Sequence, residues 1–154
     1  MRRIGKGLLW LAAALGLAVA GFAIWVRAAP DDPARWSVDP AAIVSEGAAN
    51  AYVVKPAGEG GDAASPIFDE TPAALLARFK AVALAEPRVT LLSDDGESLT
   101  LIQRSEIMAF PDYISVRAVP VEGGAALDIY SRSRYGADDL GVNEARISSW
   151  LGKL

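Results

Sequence analysis

The chain has 154 residues, of which 52% are hydrophobic, with a formal net charge of −4, no cysteine and no histidine. That length accommodates one modest domain beside a membrane segment. Without cysteine there is no disulfide framework, no lipidated amino terminus and no thiol or zinc-thiolate chemistry; without histidine the usual serine triads are excluded.

Leu8 opens and Val26 closes an uncharged run of 19 residues, preceded by Arg2, Arg3 and Lys6 and followed by Arg27. As a helix rising about 1.5 Å per residue, it matches the ~30 Å hydrocarbon core of a bilayer. Trp10 and Trp25 lie near its ends, where indoles favour the headgroup region. The basic bias of the amino-terminal flank predicts a single-pass segment in the inner (plasma) membrane, with its amino terminus cytoplasmic and its carboxyl-terminal domain periplasmic or extracytoplasmic. The rival is a cleaved signal peptide, since Ala18-Val19-Ala20 before Gly21 has the small-x-small form of a cleavage site. An uncleaved anchor is favoured, because cleavage would leave Gly21-Phe22-Ala23-Ile24-Trp25-Val26 as an apolar new terminus and the run exceeds an ordinary signal core. Ala12, Gly16 and Ala20, spaced four apart, offer a weak surface for helix pairing.

Setting aside Arg2, Arg3, Lys6 and Arg27 from the 15 basic residues leaves 11 against 19 acidic ones, a net charge of −8 for the remainder. Such a balance argues against nucleic acid and against docking on anionic headgroups. Ala28-Ala29-Pro30-Asp31-Asp32-Pro33 cannot continue a helix and reads as a stalk. The chain thus divides into a basic tip and anchor (1–27), a stalk (28–35) and an extracytoplasmic α+β domain (36–154).

Within that domain Ala51-Tyr52-Val53-Val54 reads as a strand, and residues 57–65 (AGEGGDAAS) as a flexible loop. Thr71-Pro72 provides an N-cap and a first-turn proline for a helix burying Leu75, Leu76, Phe79, Val82 and Ala83, ended by Pro87. Four strands are predicted over 88–93, 98–104, 113–120 and 126–133, joined by Asp94-Asp95-Gly96, by a Phe110-Pro111-Asp112 corner and by Glu122-Gly123-Gly124. A last helix, about 141–152, aligns Ile147, Trp150, Leu151 and Leu154. The expected fold class is α+β: an N-terminal transmembrane helix, then a four-stranded antiparallel meander with two helices packed on one face.

Alternation in the third and fourth strands of that meander turns Ile114, Val116, Ala118, Leu127 and Ile129 one way and Tyr113, Ser115, Arg117, Asp128, Tyr130, Arg132 and Arg134 the other. With apolar positions in register, Tyr113, Arg117, Tyr130, Arg132 and Arg134 share a surface suited to an anionic ligand or a partner carboxylate. The plainer alternative is a solvated sheet face whose arginines pair with Asp128 and the Asp138-Asp139 turn. Asp94-Asp95 and Asp138-Asp139 fit turn chemistry better than catalysis. The EF-hand pattern is missing, and Gly58-Glu59-Gly60-Gly61 lacks the strand and helix of a dinucleotide fingerprint. No cofactor and no metal are expected, and no recognisable catalytic constellation points to an enzyme.

The most distinctive stretch is Ser131-Arg132-Ser133-Arg134-Tyr135-Gly136-Ala137-Asp138-Asp139-Leu140-Gly141-Val142-Asn143-Glu144-Ala145-Arg146-Ile147. It resembles the signature S-R-S-R-x-G-x-x-D-x-G-x-N-x-x-R-[IV] of domain-of-unknown-function family 1499. Asn50-Ala51-Tyr52-Val53-Val54, Ala85-Glu86-Pro87-Arg88-Val89, Gln103-Arg104-Ser105 and Phe110-Pro111-Asp112-Tyr113 are similar to segments in the same order in bacterial members, so the resemblance covers roughly residues 45 to 152. Ala137 stands where members commonly carry tyrosine. The family has no established activity to carry over. In physical terms Gly136 supplies a positive φ, Asp139 caps the helix start beside Gly141, Asn143 bonds back to the strand, and Arg146 pairs with Asp138 or Asp139. Such a motif is read first as a lock between strand and helix and second as a ligand site built on the same residues. Two functions fit these observations: a tethered envelope protein-interaction module using the arginine face and the Trp36 region, or a small-ligand or lipid-binding domain with a cavity between sheet and carboxyl-terminal helix.

Overall fold

A computed structural model describes residues 2–154, with side chains from residue 6 onward; the side chains of Arg2 and Arg3 in the basic flank lie outside the described part. Helix α1 (Arg2–Ala28) is continuous. Within it, Lys6–Ala28 is long and apolar enough to cross a membrane, and of these residues only Val26 is buried. Leu8, Leu9, Leu11, Leu15 and Leu17 are all open to the surroundings, which distinguishes α1 from a soluble core helix.

Two one-turn helices follow, α2 (Pro33–Trp36) and a 3-10 turn (Pro40–Ala42). Each starts with an Asp-Pro pair: Asp32 accepts from the Ala34 N–H at 3.0 Å and Asp39 from the Ala41 N–H at 2.9 Å. The aspartate caps the turn, and proline at the first position needs no N–H partner.

The domain is built on a six-stranded sheet in the order β2-β1-β6-β5-β4-β3. Its strands are β1 (Ala51–Lys55), β2 (Ala63–Ala64), β3 (Val89–Asp94), β4 (Ser98–Arg104), β5 (Pro111–Val121) and β6 (Gly124–Ser133). Helix α3 (Pro72–Leu84) lies between β2 and β3 in the chain, and α4 (Val142–Leu151) follows β6. The antiparallel meander expected from the sequence is β3 to β6. The expected sheet of four antiparallel strands is corrected to six strands of mixed direction. β1 joins antiparallel to β6, with Tyr52 opposite Ser131, and β2 joins parallel to β1. Short turns had revealed the meander; β1 reaches its partner across most of the domain, and no local signal marks such a pairing. The 57–65 segment likewise contains β2, held by the Asp62 N–H to the Val53 carbonyl at 2.8 Å and the Ser65 N–H to the Lys55 carbonyl.

Thr71 caps α3 through the Ala74 N–H at 3.3 Å, with Pro72 opening the helix. Leu75, Leu76, Phe79 and Ala83 of α3 and Ile147 and Trp150 of α4 bury against Val54, Leu99, Leu101, Ile114, Val116, Leu127 and Ile129 of the sheet. Phe79 and Trp150 meet edge to face at 5.9 Å. Hydrophobic burial in this layer is the main source of stability. The opposite face of the sheet is covered too, by the segment between α1 and β1.

Candidate functional site

The register of β5 and β6 sets Tyr113 opposite Arg132, Ser115 opposite Tyr130 and Arg117 opposite Asp128. Tyr113, Arg117, Tyr130 and Arg132 therefore share one face, with Arg134 continuing the β6 side. This face is occupied by the chain's own segment after α1. Asp31 accepts a hydrogen bond from the Tyr113 hydroxyl at 2.6 Å, pairs with Arg104, and lies 3.6 Å from Arg134. Arg134 also donates to the Pro30 carbonyl at 3.1 Å. Trp36 stacks flat on Tyr113, with centroids 4.1 Å apart and planes at 3°.

Arg132 lies beneath this layer, 8% exposed. Its guanidinium donates to the Trp36 carbonyl and to Ser115 Oγ, and it lies 4.6 Å from the Tyr130 ring and 5.9 Å from those of Trp36 and Tyr113. Burial pushes its pKa below the usual arginine value, and the neighbouring tyrosines oppose that shift. It retains its charge, because arginine starts far above neutral pH and the carbonyl and aromatic faces replace water. Tyr113 is pushed up to about 12, first by burial and then by its bond to Asp31, with Arg134 opposing. It is a neutral hydroxyl at physiological pH.

The carboxylates proposed as partners for these arginines are engaged differently. Asp128 forms a buried ion pair with Lys55 at 3.3 Å, and Lys55 also donates to the Pro40 and Ala41 carbonyls at 2.7 and 2.9 Å. That lysine ties the 3-10 turn to the sheet. Arg117 is more open and lies 4.0 Å from Asp39, an exposed pair of little energetic weight. Tyr130 lines a half-open groove of about 350 Å³ with Ile43, Val44, Ser45, Glu46 and Asp62.

The residues of the Ser131–Ile147 stretch form a second cluster at the junction of β6 and α4. Gly136 has a φ of +93°. Asp139 accepts from the Gly141 and Asn143 N–H groups, both at 2.9 Å, while Gly141 itself, at φ +76°, occupies the N-cap position. Asn143 is fully buried; it accepts from the Ser131 hydroxyl at 2.6 Å and donates to Ser133 Oγ at 3.2 Å. Arg146 differs from expectation. It pairs with Asp112 on β5 at 2.6 Å rather than with Asp138 or Asp139, and it also donates to Asn143 Oδ1 at 2.6 Å and to Gln103 on β4. The α4 axis directs its guanidinium across the sheet, while Asp138 is used in the turn, accepting from the Leu140 N–H at 2.7 Å. With a further bond from Arg146 to Ser131 Oγ at 3.2 Å, a single side chain joins α4 to β4, β5 and β6.

Sequence reasoning missed Asp31, Arg104, Asp112, Gln103, Lys55 and the covering role of residues 30–42. One local signal was present: Asp-Pro occurs twice, at 32–33 and 39–40, and each pair opens a capped turn. Among the described residues no three carboxylates converge as a metal site requires.

The fold and these clusters define a class: an α+β domain behind one apolar helix, with an arginine-rich sheet face closed by the connecting segment. A family model described as Protein of unknown function (DUF1499) matches residues 27–154, and the chain belongs to that family. Comparison with curated proteins and with solved structures gives no significant match.

Proposed function

We propose that this chain is a membrane-anchored extracytoplasmic domain that works as a protein-interaction module of the envelope, with α1 as its uncleaved anchor. The observation that carries this reading is the pairing of an unburied apolar helix with a clamped connection: Asp31 and Trp36 are held by Arg104, Tyr113, Arg132 and Arg134. A tether pinned in this way holds the domain in a set pose beside the bilayer rather than on a swinging linker. The arginine face then grips the chain's own segment. Partner contact falls to the groove beside Tyr130, where Val44 is 62% exposed and Glu46 and Asp62 supply acid.

A photo-crosslinking residue at Val44 in cells, compared with one at Lys153, tests the module. A discrete partner band at Val44 alone supports it, and matching patterns at both positions count against it. Fusion of a reporter after Leu154 that works only in the cytoplasm would overturn the orientation, and a mature chain beginning at Gly21 would overturn the anchor.

The small-ligand alternative has one observation in its favour, since the groove volume is within the range of small-molecule sites. Against it, the layer between sheet and α4, where that reading placed a cavity, is filled by Phe79, Trp150 and Ile147.

A further inference from the structure

The turn between β4 and β5 does not stand clear of α1. Phe110 meets the Phe22 ring at 6.1 Å and the Tyr135 ring at 5.6 Å, and Tyr135 meets Trp25 at 5.9 Å. Val26, in the last turn of the helix, is fully buried. Arg27 reaches across to donate to the Ile107 carbonyl at 2.8 Å and to the Met108 carbonyl at 3.5 Å. At the tip, Ile107 is 81% exposed.

The depth of this turn follows from the helix it touches. At 1.5 Å per residue, Phe22 lies about 7 Å further into the span than Arg27. Trp25 between them is of the type that settles at the headgroup level. A side chain packed on Phe22 therefore sits at or below the level of that indole. We propose that the 105–110 turn, with Ile107 at its tip, is a second membrane contact that enters the headgroup region of the leaflet from which the carboxyl end of α1 emerges. This inference rests on α1 spanning the bilayer.

The chemistry of the turn fits that occupant. Non-helical backbone is costly in lipid unless its polar groups have partners. Here Arg27 takes the Ile107 and Met108 carbonyls, Arg104 takes that of Ala109 at 2.9 Å, and the Ser105 N–H takes that of Phe110 at 3.0 Å. Ala109 holds a φ of +58° to close the turn. The bare isoleucine is then left with apolar surface to bury, while the neighbouring Glu106 carboxylate limits insertion to the headgroup region. The acidic domain needs no anionic lipid for this contact, since the driving force is apolar.

The cysteine-free chain allows a clean test. Full-length Ile107→Cys, Leu15→Cys and Glu122→Cys are each labelled with an environment-sensitive fluorophore and reconstituted in phosphatidylcholine vesicles containing lipids brominated at shallow or deep acyl positions. Glu122 lies just past the far end of β5, roughly 35 Å from the turn at ~3.3 Å per strand residue. The Ile107 label is expected to be quenched several-fold more than the Glu122 label, and more by shallow than by deep bromines, with the Leu15 label showing the deep preference. If Leu15 is quenched while Ile107 behaves like Glu122, the second contact is overturned and the anchor stands. If Leu15 is not quenched, the anchor reading fails and the inference with it.

Discussion

Asp31 gathers three side chains of the sheet face: it accepts from Tyr113 and neutralises Arg104 and Arg134, all of them largely shielded from water. Substitution Asp31→Asn keeps the shape and removes the charge, leaving two guanidinium groups short of an anion, so we expect a loss of ~1–3 kcal/mol in chemical denaturation. The same substitution is expected to bring the Tyr113 hydroxyl down from about 12 towards its ordinary value of 10.0, read by the ultraviolet absorbance of tyrosinate. Because the folded-state value is raised, its contribution to stability is intact below about 10 and declines as pH rises towards about 12, and Tyr113→Phe removes that part of the alkaline slope. Gly124 poses a steric problem of another kind. At φ +140°, a Cβ there would stand 2.0 Å from the Phe68 carbonyl oxygen, which pairs with Ala125. Gly124→Ala is expected to cost ~2 kcal/mol or more, measured as a lowered melting temperature.

Strand β6 shows how one element serves two layers. Leu127, Ile129, Ser131 and Ser133 face the helices, and Tyr130, Arg132 and Arg134 face the covering segment. That alternation was legible in the sequence because a strand's period of two is a local property. The turns at Asp94-Asp95-Gly96 and Glu122-Gly123-Gly124 were legible for the same reason, and the first is fastened by Asp95 accepting from the Glu97 and Ser98 N–H groups at 3.0 and 2.7 Å. The pairing of Arg146 was not legible, since its partners Asp112 and Gln103 come from other strands. For α4 we expect Arg146→Ala to cost ~3–5 kcal/mol, because it strands the Asp112 carboxylate, largely shielded from water, without its cation. A double-mutant cycle with Asp112→Leu checks the assignment: most of the loss should be recovered if the pair is the cause, and additive losses would refute it.

At the scale of the molecule, the segment read as a stalk, residues 28–35, is bound into a layer on the sheet that continues to the 3-10 turn. A soluble fragment 29–154 keeps Asp31, Trp36 and the 3-10 turn, whereas 43–154 uncovers Arg132, Tyr113 and Lys55. We expect the shorter fragment to be less stable by ~3 kcal/mol or more and to bind apolar dyes; equal melting temperatures would show that the segment only rests on the sheet. By itself the sequence determined the apolar helix, the acidic domain behind it, the four-strand meander, α3 and the positions of Gly136 and Asp139. Each of these rests on hydropathy, periodicity or turn chemistry within a few residues. Only the tertiary structure decided that β1 and β2 extend the sheet, that Arg146 reaches Asp112, and that the arginine face closes on Asp31 and Trp36. Those contacts join residues far apart in the chain, and their partners are chosen by competition among many similar charges and rings, which becomes visible only when the backbone brings one set within reach.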